Sequence, residues 1–220
     1  MPSLSSRFDL VIFDCDGVLV DSEPIANRVL AECLTEIGLP TTTEESLRDY
    51  KGHSWAECVA LFEARLRGPL PESFGGSYYR RAIAAFEGEL EAVPGIHEAL
   101  TRIPIQTCVG SNGRHATMRV TLAKAKLLDR FAGRIFSSQD VERPKPFPDL
   151  YLFAASRMGA APERCVVVED SPRGVKAGVT AGMTVLGFAA AGGHHALAEA
   201  GARVFGDMAE LPALLGFSRE

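Results

Sequence analysis

Short apolar runs alternate with predicted helices along most of this chain of 220 residues. The runs predict six buried β-strands, at 10–13, 105–109, 134–137, 165–168, 184–186 and 203–205. Helices are predicted between them: one after Gly113 that ends near Lys126, one over 148–158, and one between Ser171 and Gly182. Because strands alternate with helices, we expect a doubly wound, Rossmann-like parallel α/β sheet with helices on both faces.

The segment after the first strand carries helical signals alone. Its first apolar residues recur every four positions, at Ile25, Val29, Cys33 and Ile37. A capping box at 54–57 begins another helix, and a third is predicted over 72–90, although Gly75 and Gly76 weaken its start. We therefore predict a core domain of residues 1–21 and 92–220, interrupted by an all-helical cap domain of residues 22–91.

Composition and charge limit the kinds of partner. The chain is 46% hydrophobic and 23% charged, with a net charge of -5 and a pI of about 5.6, so charge gives no reason to expect nucleic acid or an anionic membrane surface as a partner. No apolar run approaches the roughly 18 residues of a membrane span, and no signal peptide is expected from the first residues. The five scattered cysteines fit a reducing compartment. We expect a cytoplasmic monomer.

Polar residues follow four of the predicted strands. Asp14 and Asp16 come after the first and, on an extended backbone, project to the same side. Ser111 follows the second, Lys145 lies in a proline-rich loop, and Glu169–Asp170 follow three valines. Each also has an ordinary interpretation: solvated turn acids, a helix N-cap, a surface lysine. In a parallel sheet, however, strand ends converge on one ligand-binding edge.

Three or four carboxylates in one pocket repel each other unless a cation relieves the repulsion. Oxygen-only ligands of this kind suit Mg²⁺, which binds few protein groups and keeps several waters. If the strand ends converge as predicted, the sequence therefore favours a magnesium site.

The motifs around these residues resemble those of the haloacid dehalogenase superfamily, in the phosphatase and phosphomutase branch similar to β-phosphoglucomutase. Residues 14–22 read DCDGVLVDS and match the first motif, DxDG[VT]xxDS. Ser111 matches the second motif, residues 145–149 match the KPxPD of the third, and 169–170 match the acids of the fourth. The family's core and helical cap agree with the fold predicted from the strand and helix pattern.

The resemblance implies a role for each matched residue. Asp14 would be the nucleophile that forms an aspartyl-phosphate, and Asp16 the general acid and base. Phosphate would be bound by Ser111, Lys145 and the amides near Asn112. The ligands of Mg²⁺ would be the side chains of Asp14 and Asp170 and the carbonyl of Asp16; for Glu169 the resemblance leaves open whether it binds the metal directly or only through water.

Two departures in the cap distinguish between reactions. Where the phosphomutase has a histidine and an arginine, this chain has Ala26 and Trp55, although Lys51 and Gly52 match. Without a second phosphate anchor, we expect a phosphatase that hydrolyses a small phosphorylated metabolite, and the overall resemblance is to bacterial phosphatases of 6-phosphogluconate and other sugar phosphates. The alternatives are a phosphomutase and a non-catalytic phosphosugar-binding module. Lys51, Trp55 and Glu23 are the candidate cap residues near the substrate; Trp55 could equally pack within the cap, and Glu23 could act as a helix-dipole partner.

A rival signature lies in the second strand region. Cys108 and Arg114 have the Cys-x5-Arg spacing of cysteine-dependent phosphatases. The interpretation is disfavoured because Thr107 and His115 replace the expected histidine and hydroxyl, and because a thiol inside an apolar run has no reason to ionise. Cys15 is expected to be an apolar filler, and 194–195, two histidines, to be a solvated loop that starts a helix.

Overall fold

The computed structural model of the chain describes residues 7–50, 53–190 and 192–217. The chain divides into two compact units, one formed by Met1–Val20 with Ala92–Glu220 and the other by Asp21–Glu91. The first unit contains a six-stranded parallel sheet with helices on its faces, and the second contains helices alone among its described residues. The prediction of a doubly wound core with an inserted all-helical cap is confirmed.

The strands are β1 Leu10–Phe13, β2 Gln106–Ser111, β3 Ile135–Ser137, β4 Cys165–Glu169, β5 Thr184–Phe188 and β6 Arg203–Phe205. Their order across the sheet is β3-β2-β1-β4-β5-β6, and every neighbouring pair is parallel. The chain therefore winds outward from β1 in one direction and from β4 in the other. Ligands of such sheets bind where the direction reverses, at the carboxyl ends of the central strands.

The helices of the first unit are α5 Ile96–Thr101, α6 His115–Lys124, α7 Asp149–Met158, α8 Pro172–Thr180, α9 His194–Glu199 and α10 Leu211–Leu214, and those of the second are α1 Glu23–Glu36, α2 Thr43–Tyr50, α3 Trp55–Leu66 and α4 Phe74–Glu89. The pair 194–195 starts α9, as predicted. In the described part of the chain, no helix combines the length and apolar character that a bilayer crossing needs.

The side chains of β1 alternate between two apolar layers. Leu10 and Ile12 pack in a cluster with Val167 of β4 and Tyr151 of α7, whereas the ring of Phe13 meets that of Phe131 edge to face at 6.3 Å. All four residues of β1 are buried, which fits a central strand covered by helices on both faces. Burial on both sides explains why the sequence of β1 is a continuous apolar run.

The boundaries of β2 differ from the prediction. The strand was expected at 105–109, with Gly110 taken as the start of a turn, but β2 continues to Ser111 because Gly110 and Ser111 pair with Phe136 and Ser137 of β3. The glycine gives the strand close packing, since a Cβ at position 110 would lie 3.1 Å from the Ile12 side chain. Ser111 is therefore the buried last residue of β2 and not the residue of a turn after it.

Trp55 packs inside the helical unit. Its indole stacks on the ring of Tyr78 at a centroid distance of 5.2 Å and an angle of 8°, and it lies parallel to Phe74 at 6.3 Å. The indole lies against α4 at Gly75, where a Cβ would be 3.4 Å from it. The two glycines that weaken the start of the predicted helix both lie inside α4.

Candidate active site

The site begins where β1 and β4 end side by side. Asp14 is the first residue after β1 and Glu169 the last residue of β4. The Asp14 backbone N–H donates to the carbonyl of Val168 at 2.9 Å, so the ladder between the two strands extends to the nucleophile candidate itself. Two parallel central strands thus bring together two acids that are far apart in sequence.

Lys145 connects these two acids. Its Nζ donates to Asp14 Oδ1 at 2.9 Å and to Glu169 Oε1 at 2.7 Å. The lysine is 4% exposed, and Glu169 is fully buried. A buried lysine needs compensating charge, and here two carboxylates provide it. The structure therefore places Lys145 at the predicted position beside Asp14, not on the surface.

The environment shifts the pKa values of all three groups. Burial raises the pKa of Asp14 to about 7, with Lys145 acting in the opposite direction and Glu169 adding to the rise. Burial alone would also raise the pKa of Glu169, but Lys145 and the donors of Ser171 bring it below its usual value. Burial would lower the pKa of Lys145, yet Asp14 and Glu169 hold it above its usual value. Both shifts favour the charged forms, so Lys145 and Glu169 form an ion pair.

Two glycines show where Asp170 and Asp16 lie. Gly17 has a left-handed backbone (φ +75°), and a Cβ there would lie 2.3 Å from Asp170 Oδ2, so the missing side chain admits this carboxylate. A Cβ on Gly113 would lie 3.3 Å from Ser111 Oγ and 3.5 Å from Asp16 Oδ2. These two glycines therefore mark where Asp170 meets the loop after β1 and where Asp16 meets the loop after β2.

The side chain of Asn112 contacts the backbone of the lysine loop. Its side-chain amide donates to the Lys145 carbonyl at 3.3 Å, and its Oδ1 accepts from the Lys145 N–H at 3.1 Å. This pair of hydrogen bonds joins the loop after β2 to the lysine loop. The side chain of Asn112 is thus occupied with the backbone of Lys145, and phosphate binding by the amides near Asn112 stays a prediction.

Two serines that the sequence analysis did not single out hold the same loop. Ser137 Oγ donates to the Gly113 carbonyl at 2.7 Å, and Ser138 Oγ donates to the Asn112 carbonyl at 2.9 Å. These two hydrogen bonds join the loop after β2 to the end of β3 and the residue that follows it. The signal in the sequence was the Ser-Ser pair that closes the third predicted strand.

Oxygen atoms of Asp14, Glu169 and Asp170 all lie within 4.8 Å of one another. One lysine cannot neutralise three carboxylates, so the cluster carries surplus negative charge. An oxygen-only donor set with surplus negative charge fits a hard divalent cation. The described residues therefore form a possible acidic metal-binding cluster.

The remaining candidates are the cap residues and the residues of the rival cysteine signature. Lys51 and Gly52 fall outside the described residues. Glu23 begins α1 in the helical unit, at the helix N-terminus. Cys108 is buried in the middle of β2, and burial raises the pKa of its thiol, whereas Arg114 is exposed. The structure gives this cysteine no route to a thiolate, so the Cys-x5-Arg interpretation is excluded.

Carboxylates and a lysine meet at the central strand ends of a doubly wound core. This arrangement is typical of a hydrolase, and comparisons with known proteins give the family. Residues 8–182 match the haloacid dehalogenase-like hydrolase family. The chain is 34% identical over 210 residues to 6-phosphogluconate phosphatase of Escherichia coli K12, covering 95% of each chain.

Two solved structures extend this likeness to the fold. A haloacid dehalogenase-like protein of unknown function from Agrobacterium tumefaciens has a TM-score of 0.85 at 37% identity, over 95% of this chain and 98% of that one. A hydrolase of the same family from Deinococcus radiodurans, with bound phosphate and sodium, has a TM-score of 0.80 at 36% identity, over 96% of each chain. The chain belongs to the haloacid dehalogenase-like hydrolases, and the prediction of a phosphatase of this family is confirmed.

Proposed function

We propose that this enzyme is a Mg²⁺-dependent phosphomonoester hydrolase that acts on a small phosphorylated metabolite through an aspartyl-phosphate on Asp14. The observation that supports it most is the bridge from Lys145 Nζ to both Asp14 and Glu169, with Asp170 in the same acidic cluster. Such an arrangement orients one carboxylate as a nucleophile and supplies positive charge beside it.

The proposed reaction has two steps. In the first, an oxygen of Asp14 forms a bond to phosphorus while the bond from phosphorus to the leaving oxygen breaks, and Asp16 donates a proton to that oxygen. In the second, Asp16 accepts a proton from a water molecule, which attacks phosphorus, releases inorganic phosphate and restores Asp14. Throughout, Lys145 and Ser111 bind the transferring group.

The metal would be held by Asp14, Asp170 and the carbonyl of Asp16. Bound Mg²⁺ supplies positive charge to the phosphoryl oxygens, the main need of phosphoryl transfer. Within the described residues, Lys145 is the donor to the Asp14 carboxylate, through Oδ1. The second oxygen of Asp14 therefore remains for the metal or for phosphorus.

Hydrolysis is preferred to phosphomutase activity because of the cap. By resemblance, a mutase has a cationic residue where this chain has Trp55, and this indole is engaged with Tyr78 and Phe74 of α4. Among the described residues, Trp55 therefore gives this position of the cap an aromatic ring and no positive charge for a second phosphate. Since the described residues give this position no cationic anchor that would retain a bisphosphate, we expect release of phosphate to water.

The similarity to 6-phosphogluconate phosphatase extends over 95% of the chain, and a phosphorylated carbohydrates phosphatase of Thermotoga maritima is 33% identical over 80% of it. We therefore assign the substrate to sugar phosphates and phosphorylated sugar acids. The five cysteines are free and buried, which supports a cytoplasmic site of action. A monomer is our expectation for the solution state, and light scattering would measure it.

The test is a screen of sugar phosphates for release of inorganic phosphate, with Mg²⁺ and with EDTA. We expect turnover that EDTA abolishes and Mg²⁺ restores, and Asp14→Asn should lack it while still binding substrate. Asp129→Asn is the matched control, because it makes the same change at an exposed residue away from these groups. Turnover that survives EDTA would contradict the metal dependence. Interconversion of sugar phosphate isomers without phosphate release would favour the mutase, and binding with no turnover would favour the non-catalytic module.

A further inference from the structure

A buried tyrosine lies directly beneath the pair of Lys145 and Glu169. Tyr151, the third residue of α7, is fully buried. Its hydroxyl donates to Glu169 Oε1 at 2.9 Å, and the Lys145 Nζ lies 4.8 Å from the centre of its ring. We propose that Tyr151 is a positioning residue that holds Glu169 as the counter-charge of Lys145 and keeps this carboxylate from binding the metal. The inference rests on the proposed function.

The hydrogen bonds of Glu169 use its full capacity as an acceptor. Oε1 accepts from Lys145 Nζ and from the Tyr151 hydroxyl. Oε2 accepts from the Ser171 N–H at 2.9 Å and from the Ser171 hydroxyl at 2.8 Å. A carboxylate has about four lone-pair sites, and all four are taken. Glu169 lies close enough to Asp14 and Asp170 to join a metal site, yet it has no lone pair left for a metal.

The surrounding backbone keeps the carboxylate in this orientation. Gly174, in the first turn of α8, faces Glu169 so closely that a Cβ there would lie 1.7 Å from Oε1. Ser171 caps the same helix, its Oγ accepting from the Gly174 N–H at 3.1 Å while donating to Glu169. The Glu169 carboxylate therefore has α8 on one side and Tyr151 on another. Rotation of Glu169 toward a cation would break bonds to several donors at once.

Tyr151 also helps to orient the ammonium group of Lys145. The ammonium group has a carboxylate on each of two sides, Asp14 Oδ1 and Glu169 Oε1, and the aromatic face of Tyr151 near it. A cation near a ring face is attracted to it. With Glu169 fixed, the remaining strong partner of the lysine is Asp14. Tyr151 thus acts on the nucleophile through two residues and touches neither phosphorus nor metal.

Core packing explains the ring of Tyr151 but not its hydroxyl. The residue belongs to an apolar cluster with Leu10, Ile12 and Leu150, where a phenylalanine would fill the same volume. A buried hydroxyl without a partner is costly, and this one has Glu169 alone among the hydrogen bonds of the described residues. The hydroxyl is therefore the part of Tyr151 that serves the site.

The test is Tyr151→Phe, which keeps the ring and removes the hydroxyl. Misplaced catalytic groups cost up to about a hundredfold in rate, and for this indirect effect we expect kcat to fall about tenfold with KM changed by less than about threefold. Titration with MgCl2 alone should give a Kd within about threefold of wild type. The control is Tyr50→Phe, which removes a buried hydroxyl bonded to Arg65 in the helical unit and should leave kcat unchanged. A fall in stability without a fall in kcat would overturn the positioning role.

Two further variants test the assignment of Glu169 without any need for turnover. We expect Asp170→Asn to weaken Mg²⁺ binding by more than tenfold and Glu169→Gln to weaken it clearly less; equal losses would make Glu169 a ligand and overturn the inference. A wild type that binds Mg²⁺ but hydrolyses no sugar phosphate would refute the proposed function alone. If the wild type bound no Mg²⁺, urea unfolding of Tyr151→Phe, Glu169→Gln and the double variant would decide: additive losses of stability would mean that the hydroxyl does not hold Glu169.

Discussion

Replacement of Gly174 by alanine tests the geometry of the site with a single methyl group. The added Cβ would lie 1.7 Å from Glu169 Oε1, 1.9 Å from its Cδ and 2.5 Å from Oε2. The overlapped atoms form the end of the Glu169 side chain. This carboxylate cannot move aside without cost, because it is buried and bonded to Lys145, Tyr151 and Ser171. Either α8 shifts or Glu169 leaves its place, and both disturb the lysine.

Opposing effects set the size of the change. Glycine to alanine in a helix interior stabilises by about 1 kcal/mol. A hydrogen bond to a charged group contributes about 1.5–3 kcal/mol, and displacement of Glu169 loses at least the bonds from Lys145 and Tyr151. The net expectation is a free energy of unfolding lower by about 2–5 kcal/mol, a large share of the roughly 5–15 kcal/mol typical of native proteins.

The measurements are urea unfolding followed by far-ultraviolet circular dichroism and turnover of a generic phosphate ester. Gly88→Ala is the matched control, since a Cβ at this helical position in α4 meets nothing within 4 Å and should raise the free energy of unfolding by up to about 1 kcal/mol. For Gly174→Ala we expect turnover at least tenfold lower, because Lys145 loses its counter-ion. A variant as stable and as active as wild type would refute the tight placement of Glu169 against α8.

Three other outcomes follow from the structure. Asn112→Ala removes both hydrogen bonds to the Lys145 backbone and should lower kcat about tenfold, since misplacement alone costs up to about a hundredfold; steady-state kinetics measures it, and an unchanged kcat would contradict it. Trp55→Ala removes the ring stacked on Tyr78 and should cost about 2–3 kcal/mol of stability, less than for a fully buried aromatic residue, followed by circular dichroism; no loss would show that the stack is not structural. Iodoacetamide should leave native activity intact because Cys108 is buried, whereas inactivation that tracks its alkylation would revive the thiolate route.

The strand ends of the site could be predicted because the burial of the central strands leaves a clear apolar pattern in the sequence. β1 and β4 lie at the centre of the sheet, covered on both faces, so their residues are uniformly apolar until the chain reaches an acid. That contrast between valines and the following Glu169 is visible in sequence alone. The convergence of Asp14 and Lys145 then follows from parallel topology, which the alternation of strands and helices already indicates.

Elements without such contrast escaped prediction. The helix α2 at Thr43–Tyr50 buries only Ser46 and Tyr50, so its sequence has no apolar stripe to reveal a period. The hydroxyl of Tyr151 was missed for the opposite reason: an aromatic residue in an apolar helix indicates a core position, and nothing local shows that its polar end meets Glu169 eighteen residues later. Contacts of this kind depend on which strand and helix become neighbours.

Two glycines place the adjacent acids Glu169 and Asp170 in different surroundings. Glu169 and Asp170 are consecutive, and their sequence alone suggests a pair of equivalent ligands. Gly174 opens a space against α8 that receives Glu169, and Gly17 opens a space beside the loop after β1 that receives Asp170. The first space contains donors that satisfy a carboxylate, and the second lies beside the nucleophile loop. Gly17 stands within a recognisable motif, but Gly174 looks like an ordinary helical glycine. The different surroundings of the two acids are therefore set by glycines, at positions where only the folded backbone shows what a side chain would displace.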